Sequence, residues 1–222
     1  MFERIQVRKV KPGTKQNHLT CLSALKKFGK IETFNDLTLR NVKLFDDFLH
    51  KQGYVQTTVH KYHKSLRTYI NEGMSLEKLS LHPYLTFRVK KGTSQKRKYL
   101  TQEELNKLII AEMDNRSLEQ VKDCFLFSCY NGPSHIDLKN FDVKKIIEID
   151  GKYFYEDNRI KSGINYKIVL LTPAMDILRK YNFKLPVISL TQFNMRLKIV
   201  ALHATIKKNL TSHMTKHCIY SF

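Results

Sequence analysis

Arg88-Val-Lys-Lys-Gly-Thr-Ser-Gln-Lys-Arg-Lys98, followed at once by Tyr99-Leu-Thr-Gln-Glu-Glu104, is the stretch on which the fold of this chain turns. Its first part holds six basic residues, no acid and a Gly-Thr-Ser centre, the composition of a solvated connector. Its second part is a sharp helix start. Thr101-Gln-Glu-Glu104 has capping-box spacing, in which the N-cap hydroxyl and the N3 carboxylate satisfy each other's backbone N–H groups, and Leu100 and Leu105 flank it as a hydrophobic staple. The junction predicts a first domain over residues 1–92, a basic linker over 93–98 and a second domain over 99–222.

Upstream, the pattern is helical throughout. Asn17 to Gly29 puts Leu19, Leu22, Leu25 and Phe28 near one face and ends at a glycine. Asp36 to Gly53 repeats the scheme with Leu39, Val42, Phe45 and Leu49. From Thr57 to Glu72 the apolar positions Val59, Tyr62, Leu66, Tyr69 and Ile70 share one side, whereas His60, Lys61, Lys64 and Arg67 project from the other. Surface lysines usually alternate with acids, and no acid interrupts this face. A solvated face is the plainer reading, and contact with backbone phosphates is the one favoured here.

Downstream, helices are expected at about 102–113 and 117–130, and then the period changes. Lys144 to Ile149 and Lys152 to Glu156 flank Asp150-Gly151, the signature of a tight hairpin. Tyr166 to Leu171 forms a third strand, after a turn carrying Lys161-Ser-Gly163. Thr172-Pro173 reads as an N-cap followed by proline at N1, with further helices at 191–203 and from about 212.

Composition narrows the class. The 222 residues are 42% apolar and 11% aromatic, enough for packed cores, and carry a net charge of +19. Residues 1–100 hold 21 Lys and Arg against 7 Asp and Glu, and residues 101–222 hold 18 against 13, so the field concentrates in the first half. An excess this large points to a polyanion partner. No apolar run approaches the ~18 residues a membrane span needs, and the charged start lacks the apolar region of a secretory signal. Cys21, Cys124, Cys129 and Cys218 form no CxxC pair and sit in apolar-periodic segments, as buried thiols of a reducing cytoplasm do.

Three further segments complete a colinear set: Cys-Tyr-Asn-Gly-Pro-Ser-His-Ile-Asp-Leu (129–138), Arg-Ile-Lys-Ser-Gly (159–163) and Thr-Ser-His-Met-Thr-Lys-His (211–217). With the helical first half, the basic linker and the capped helix, they make the chain resemble the tyrosine recombinases, or phage-type integrases, over essentially its whole length. Within that family it is most similar to the integrases of Bacteroides-type mobile elements. The resemblance implies a mainly α fold with a small β-sheet (α+β): a helical SAM-like core-binding domain, then a truncated catalytic domain with a three-stranded antiparallel sheet. It implies DNA integration and recombination through a 3′-phosphotyrosine, without cofactor or metal, on double-stranded DNA in a bacterial cytoplasm, nucleoid-associated.

Carried over residue by residue, the hairpin lysine that protonates the leaving oxygen falls on Lys161, and the histidine beside the second arginine falls on His213. Where the family has its two phosphate-clamping arginines, this chain has Ser134 and Lys216. Serine supplies no charge and lysine no bidentate fork. The nucleophilic tyrosine has no counterpart before Phe222, and Tyr220 does not match its position. These departures imply a catalytically defective chain, either a recombinase fragment or a non-catalytic relative that occupies recombination sites. A basic RNA-binding protein is the third reading. Thr57, Lys61, Lys64 and Arg67 with the linker residues Lys96, Arg97 and Lys98 are the candidate DNA-binding set. His135 is a candidate replacement cation. His213 and His217, at i and i+4, suit zinc poorly, because His-Met-Thr-Lys-His lacks the glutamate of His-Glu-x-x-His. Ile219, Tyr220 and Phe222 close an apolar stretch that predicts weak self-association of a monomer.

Overall fold

The computed structural model describes residues 2–93 and 99–217. It divides into two compact units, residues 1–96 and residues 97–222.

The first unit is all helix: α1 (Phe2–Val7), α2 (Pro12–Phe28), α3 (Leu39–Lys51) and α4 (Gln56–Ser75). Helix α2 starts five residues before the expected Asn17, because Pro12 occupies the first helical position, where its missing N–H costs nothing. It ends where Gly29 turns left-handed at φ 67° and returns its N–H to the Leu25 carbonyl at 3.0 Å. Helix α3 starts three residues later than expected. Thr38 caps it by accepting from the Asn41 N–H, while Asp36 closes the preceding turn by accepting from the N–H groups of Glu32 and Thr33. Val42, Phe45 and Leu49 of α3 meet Cys21, Ala24 and Leu25 of α2 and Val59, Leu66 and Ile70 of α4 in one core. The basic run after this unit is not solvated from its start. Phe87 and Val89 pack against the core, and the Lys90 carbonyl accepts from Gln56 Nε2 at 2.8 Å.

The second unit is built on α6 (Arg116–Asn131), whose residues 121–131 are buried throughout. Before it, α5 (Gln102–Ile110) starts with the predicted box: Glu104 accepts from the Thr101 N–H at 2.9 Å and donates its own N–H to Thr101 Oγ1. The helix stops three residues short of the expected 113, since Ala111 is already extended. After α6 come a short α7 (His135–Lys139), which is not among the expected helices, and a 3₁₀ turn at Val143–Lys145 in place of the first expected strand residues. The sheet is an antiparallel meander, β1 (Ile146–Ile149), β2 (Lys152–Asn158) and β3 (Asn165–Leu170), with β2 central. Asp150 and Gly151 both take positive φ, 51° and 70°, as a two-residue hairpin turn between the paired Ile149 and Lys152 requires. Tyr155 of β2 is fully buried and stacks on Phe141 at 4.2 Å.

Helices α8 (Thr172–Lys180) and α9 (Leu190–His203) cover α6. Leu171, not Thr172, stands at the N-cap of α8, so Thr172 is already helical and Pro173 follows it. From residue 212 a 3₁₀ turn (Met214–His217) replaces the expected helix, and it packs on α6. Cys21, Cys124 and Cys129 are all buried. Cys218 and the apolar Ile219, Tyr220 and Phe222 lie outside the described residues. No described helix is long and apolar enough to cross a membrane.

Candidate nucleic-acid interface

On α4 the structure keeps the two faces that the sequence separates. Val59, Tyr62, Leu66, Tyr69 and Ile70 are buried, while Lys61, Lys64 and Arg67 are exposed. Among the described residues no carboxylate pairs with these three cations. Lys61 and Lys64 rise from the helix into solvent. Arg67 lies over the Tyr84 ring, 4.5 Å from its centroid, which fixes the guanidinium without neutralising it. Thr57 is half-buried in the first turn, beside Gly92, whose backbone crosses Gln56 and Thr57 closely enough that a Cβ would stand 2.9 Å from Gln56 Cβ. The nearest acid on the helix, Glu72, is taken by Arg4 and Arg8. The candidates Lys96, Arg97 and Lys98 lie outside the described residues.

Behind this face sits a buried polar group. His63 is 1% exposed, and its Nδ1 lies 2.7 Å from the Tyr84 hydroxyl. Its Nε2 approaches Asp46 Oδ1 to 3.0 Å without forming a hydrogen bond. Burial, and then the nearby Arg67, His60 and His50, draw its pKa down to about 4, so it is neutral at pH 7.

In the second unit Ser134 follows the C-terminal end of α6, and the β2–β3 turn that carries Lys161 meets this place through Asp137. The helix ends in left-handed Gly132, φ 70°, and the chain turns through Ser134 into α7. Asp137 of α7 organises the place. It is 5% exposed and accepts from Ser134 Oγ at 2.6 Å, from the Ser134 N–H at 3.3 Å, from the Ile160 N–H at 3.1 Å and from Arg159 Nη1 at 3.1 Å. Burial pulls its carboxyl pKa up, but the bonds from Ser134, Ile160 and Arg159 outweigh that and hold it below the usual carboxylate range. A carboxylate thus occupies the Ser134 proton. In this arrangement the one O–H of Ser134 is committed to Asp137.

The Arg159–Ile164 turn between β2 and β3 closes through Arg159 N–H to the Ile164 carbonyl at 2.8 Å and Gly163 N–H to the Arg159 carbonyl at 2.7 Å. Lys161 is exposed in this turn. Arg159 is not among the residues that the sequence singles out, although it stands two residues before Lys161, and its guanidinium stacks on Tyr166 at 4.0 Å. The readable signal is Ser134-x-x-Asp137, a capping box whose carboxylate is a ready partner for a cation. His135, the candidate replacement cation, is half-buried. Its Nε2 lies 3.1 Å from the Ile188 carbonyl and its ring meets Phe193 edge-on, while burial, reinforced by Lys139, depresses its pKa in spite of that hydrogen bond. His213 is exposed just before the 3₁₀ turn, which is anchored by Ser212 N–H to Asn194 Oδ1 at 2.9 Å and by buried Met214 and Thr215. Lys216 and His217 come within that turn, and only their backbones are described. The α6–α7 junction, β3 and this turn all rest on α6, which is how segments far apart in sequence are held on one support.

Residues 2–91 match the family model described as the phage integrase SAM-like domain. The chain as a whole superimposes on a lambda integrase fragment, in a dimer bound to a COC′ core site, with a TM-score of 0.77 over 98% of this chain and 81% of that one, at 12% identity. The chain has the tyrosine-recombinase fold. Two further recombinase-fold structures are similar: XerH site-specific recombinase bound to its palindromic difH substrate (TM-score 0.71, 14% identity, 92% of this chain and 67% of that one) and the Tn1549 transposon integrase with transposon right-end DNA (0.72, 13%, 98% and 82%). Against the lambda integrase in a Holliday-junction tetramer the chain spans 62% of the length. No curated protein matches in sequence. Within the recombinase fold, the first unit is the SAM-like domain that carries the basic face of α4.

Proposed function

We propose that this chain binds double-stranded DNA as a member of the tyrosine recombinase family, of the kind carried by mobile elements, and that it holds a recombination site more readily than it cuts one. The observation that carries the reading is the face of α4. A domain matching the integrase SAM-like model presents Lys61, Lys64 and Arg67 outward with no carboxylate beside them among the described residues. Exposed cations of this kind neutralise duplex phosphates and gain affinity by releasing counterions. The similar lambda integrase and Tn1549 integrase structures hold a core site and transposon-end DNA, which supports the partner class.

Catalysis is the weaker half of the activity. Transition-state charge on a phosphoryl group is best met by forked, fixed cations, and removing one preorganised donor costs ~10²- to 10³-fold. Ser134 offers neither charge nor a spare proton here, and Lys216 replaces a fork by a point charge. Lys161 and His213 remain as the proton-transfer pair, and the cell compartment that fits the partner is the nucleoid-bearing cytoplasm. The test is competition: labelled duplex DNA displaced by unlabelled duplex but not by equal folded RNA supports the reading. Equal displacement by RNA overturns it in favour of an RNA-binding protein. A nicked suicide duplex should trap no covalent adduct in yields approaching one per chain.

A further inference from the structure

We propose that Arg159 is a phosphate-binding residue: from the β2–β3 turn it supplies, beside Ser134, the planar cation that the sequence lacks at that position. The inference rests on the DNA-binding reading above and extends it to one named contact.

Its basis is how this arginine is held. One face of the guanidinium lies on the Tyr166 ring at 4.0 Å, and one edge is fixed by Nη1, which donates to Asp137 Oδ2 at 3.1 Å and, at longer range, to the Gly132 carbonyl at 3.4 Å. Among the described residues its hydrogen bonds thus run through Nη1, and a guanidinium has five N–H groups. The side chain is 29% exposed, so it is not closed off from solvent. A structural ion pair needs only one of those groups. Stacking and carboxylate contact also immobilise the fork before any ligand arrives, which lowers the entropy lost on binding an oxyanion.

The neighbourhood leaves the role open for Arg159 to fill. Ser134 spends its proton on Asp137, and His135 is turned to the Ile188 carbonyl and held neutral. Asp137 does not cancel the guanidinium for an incoming anion, because it is enclosed at 5% exposure and its two oxygens already accept four bonds, including two backbone N–H groups that share its charge. Lys161, in the same turn, adds a second positive charge toward solvent.

The test uses the full chain and a short duplex. In the unmodified protein, the Arg159 side-chain Nε–Hε resonance should shift and sharpen on saturation with duplex. Arg159→Gln should weaken duplex binding roughly 10- to 100-fold, the range for a charge-assisted bond. It should also flatten the slope of log K against log salt by about 0.9. Arg159→Lys should keep the slope and lose part of the affinity. Arg179→Gln, which removes an equal charge and an ion pair to Asp176 on α8, should do neither. An Arg159 resonance unmoved at saturation overturns the proposal, whether or not Arg159→Gln folds. So does a folded Arg159→Gln variant that matches Arg179→Gln. Those outcomes leave DNA binding standing. If the unmodified chain does not bind duplex at all, the DNA reading falls and the proposal falls with it.

Discussion

Replacing Lys61, Lys64 and Arg67 together by alanine tests the α4 face directly. All three are exposed and unpaired with carboxylates among the described residues, so each is free to neutralise one phosphate. At about 0.9 per contact, the log-log salt slope should fall by roughly 2.7. Over a fourfold rise in salt, from about 50 to about 200 mM, the parent should then lose roughly 40-fold more affinity than the variant. The stability cost is smaller and separable. Among the described residues Arg67 is the one of the three that gives up an interaction, its position over Tyr84 at 4.5 Å, worth about 0.5–1 kcal/mol at an exposed site. Fluorescence anisotropy on labelled duplex at several salt concentrations measures the slope, and a urea melt of the same samples measures the fold. A variant that melts like the parent and keeps the parent's slope refutes the reasoning and returns these residues to an ordinary solvated face.

Three further outcomes rest on the geometry. His63, drawn down to about 4 in the fold against about 6.5 unfolded, gives stability that is complete above about pH 6.5 and lost as pH falls toward 4, by up to ~3 kcal/mol. Asp46, which burial pushes upward, takes a proton more readily in the fold and offsets part of that loss. Urea midpoints should therefore fall on acidification in the parent and less in His63→Gln, and equal pH slopes would dismiss the histidine as the cause. Gly92→Ala should destabilise the first unit by ~1–3 kcal/mol, since it adds a clash with Gln56 to a positive φ of 75°. Gly53→Ala, at φ 77° with open space around it, should cost less, and equality of the two would show that the close approach to α4 does not matter. Asp137→Asn should cost about 3 kcal/mol, because an amide N–H₂ must then face donors from Ser134, Ile160 or Arg159. Ile160 should lose amide-exchange protection in that variant, and unchanged protection there would mean the turn does not depend on the carboxylate.

The sequence by itself determined what is local. The capping box at Thr101 and Glu104, the Asp150-Gly151 hairpin and the division of α4 into an apolar and a basic face each depend on residues within a few positions of one another. Their physics is complete before the chain folds. Boundaries were less legible where two local signals competed. Pro12 moved the start of α2 earlier than the apolar pattern showed, and Asp36, a good N-cap by composition, was claimed by the turn at Glu32 and Thr33 so that Thr38 caps α3. The candidate site was legible only as separate motifs. Asp137 and Arg159 are 22 residues apart, and nothing in their spacing says that a turn of the sheet brings one to the other. Tertiary structure decided that the Ser134 hydroxyl is spent on a carboxylate, that His135 is neutral against the Ile188 carbonyl, and that Arg159 carries the guanidinium beside them. Burial and hydrogen-bond partners set whether a polar group is free to act, and those come from neighbours distant in the chain.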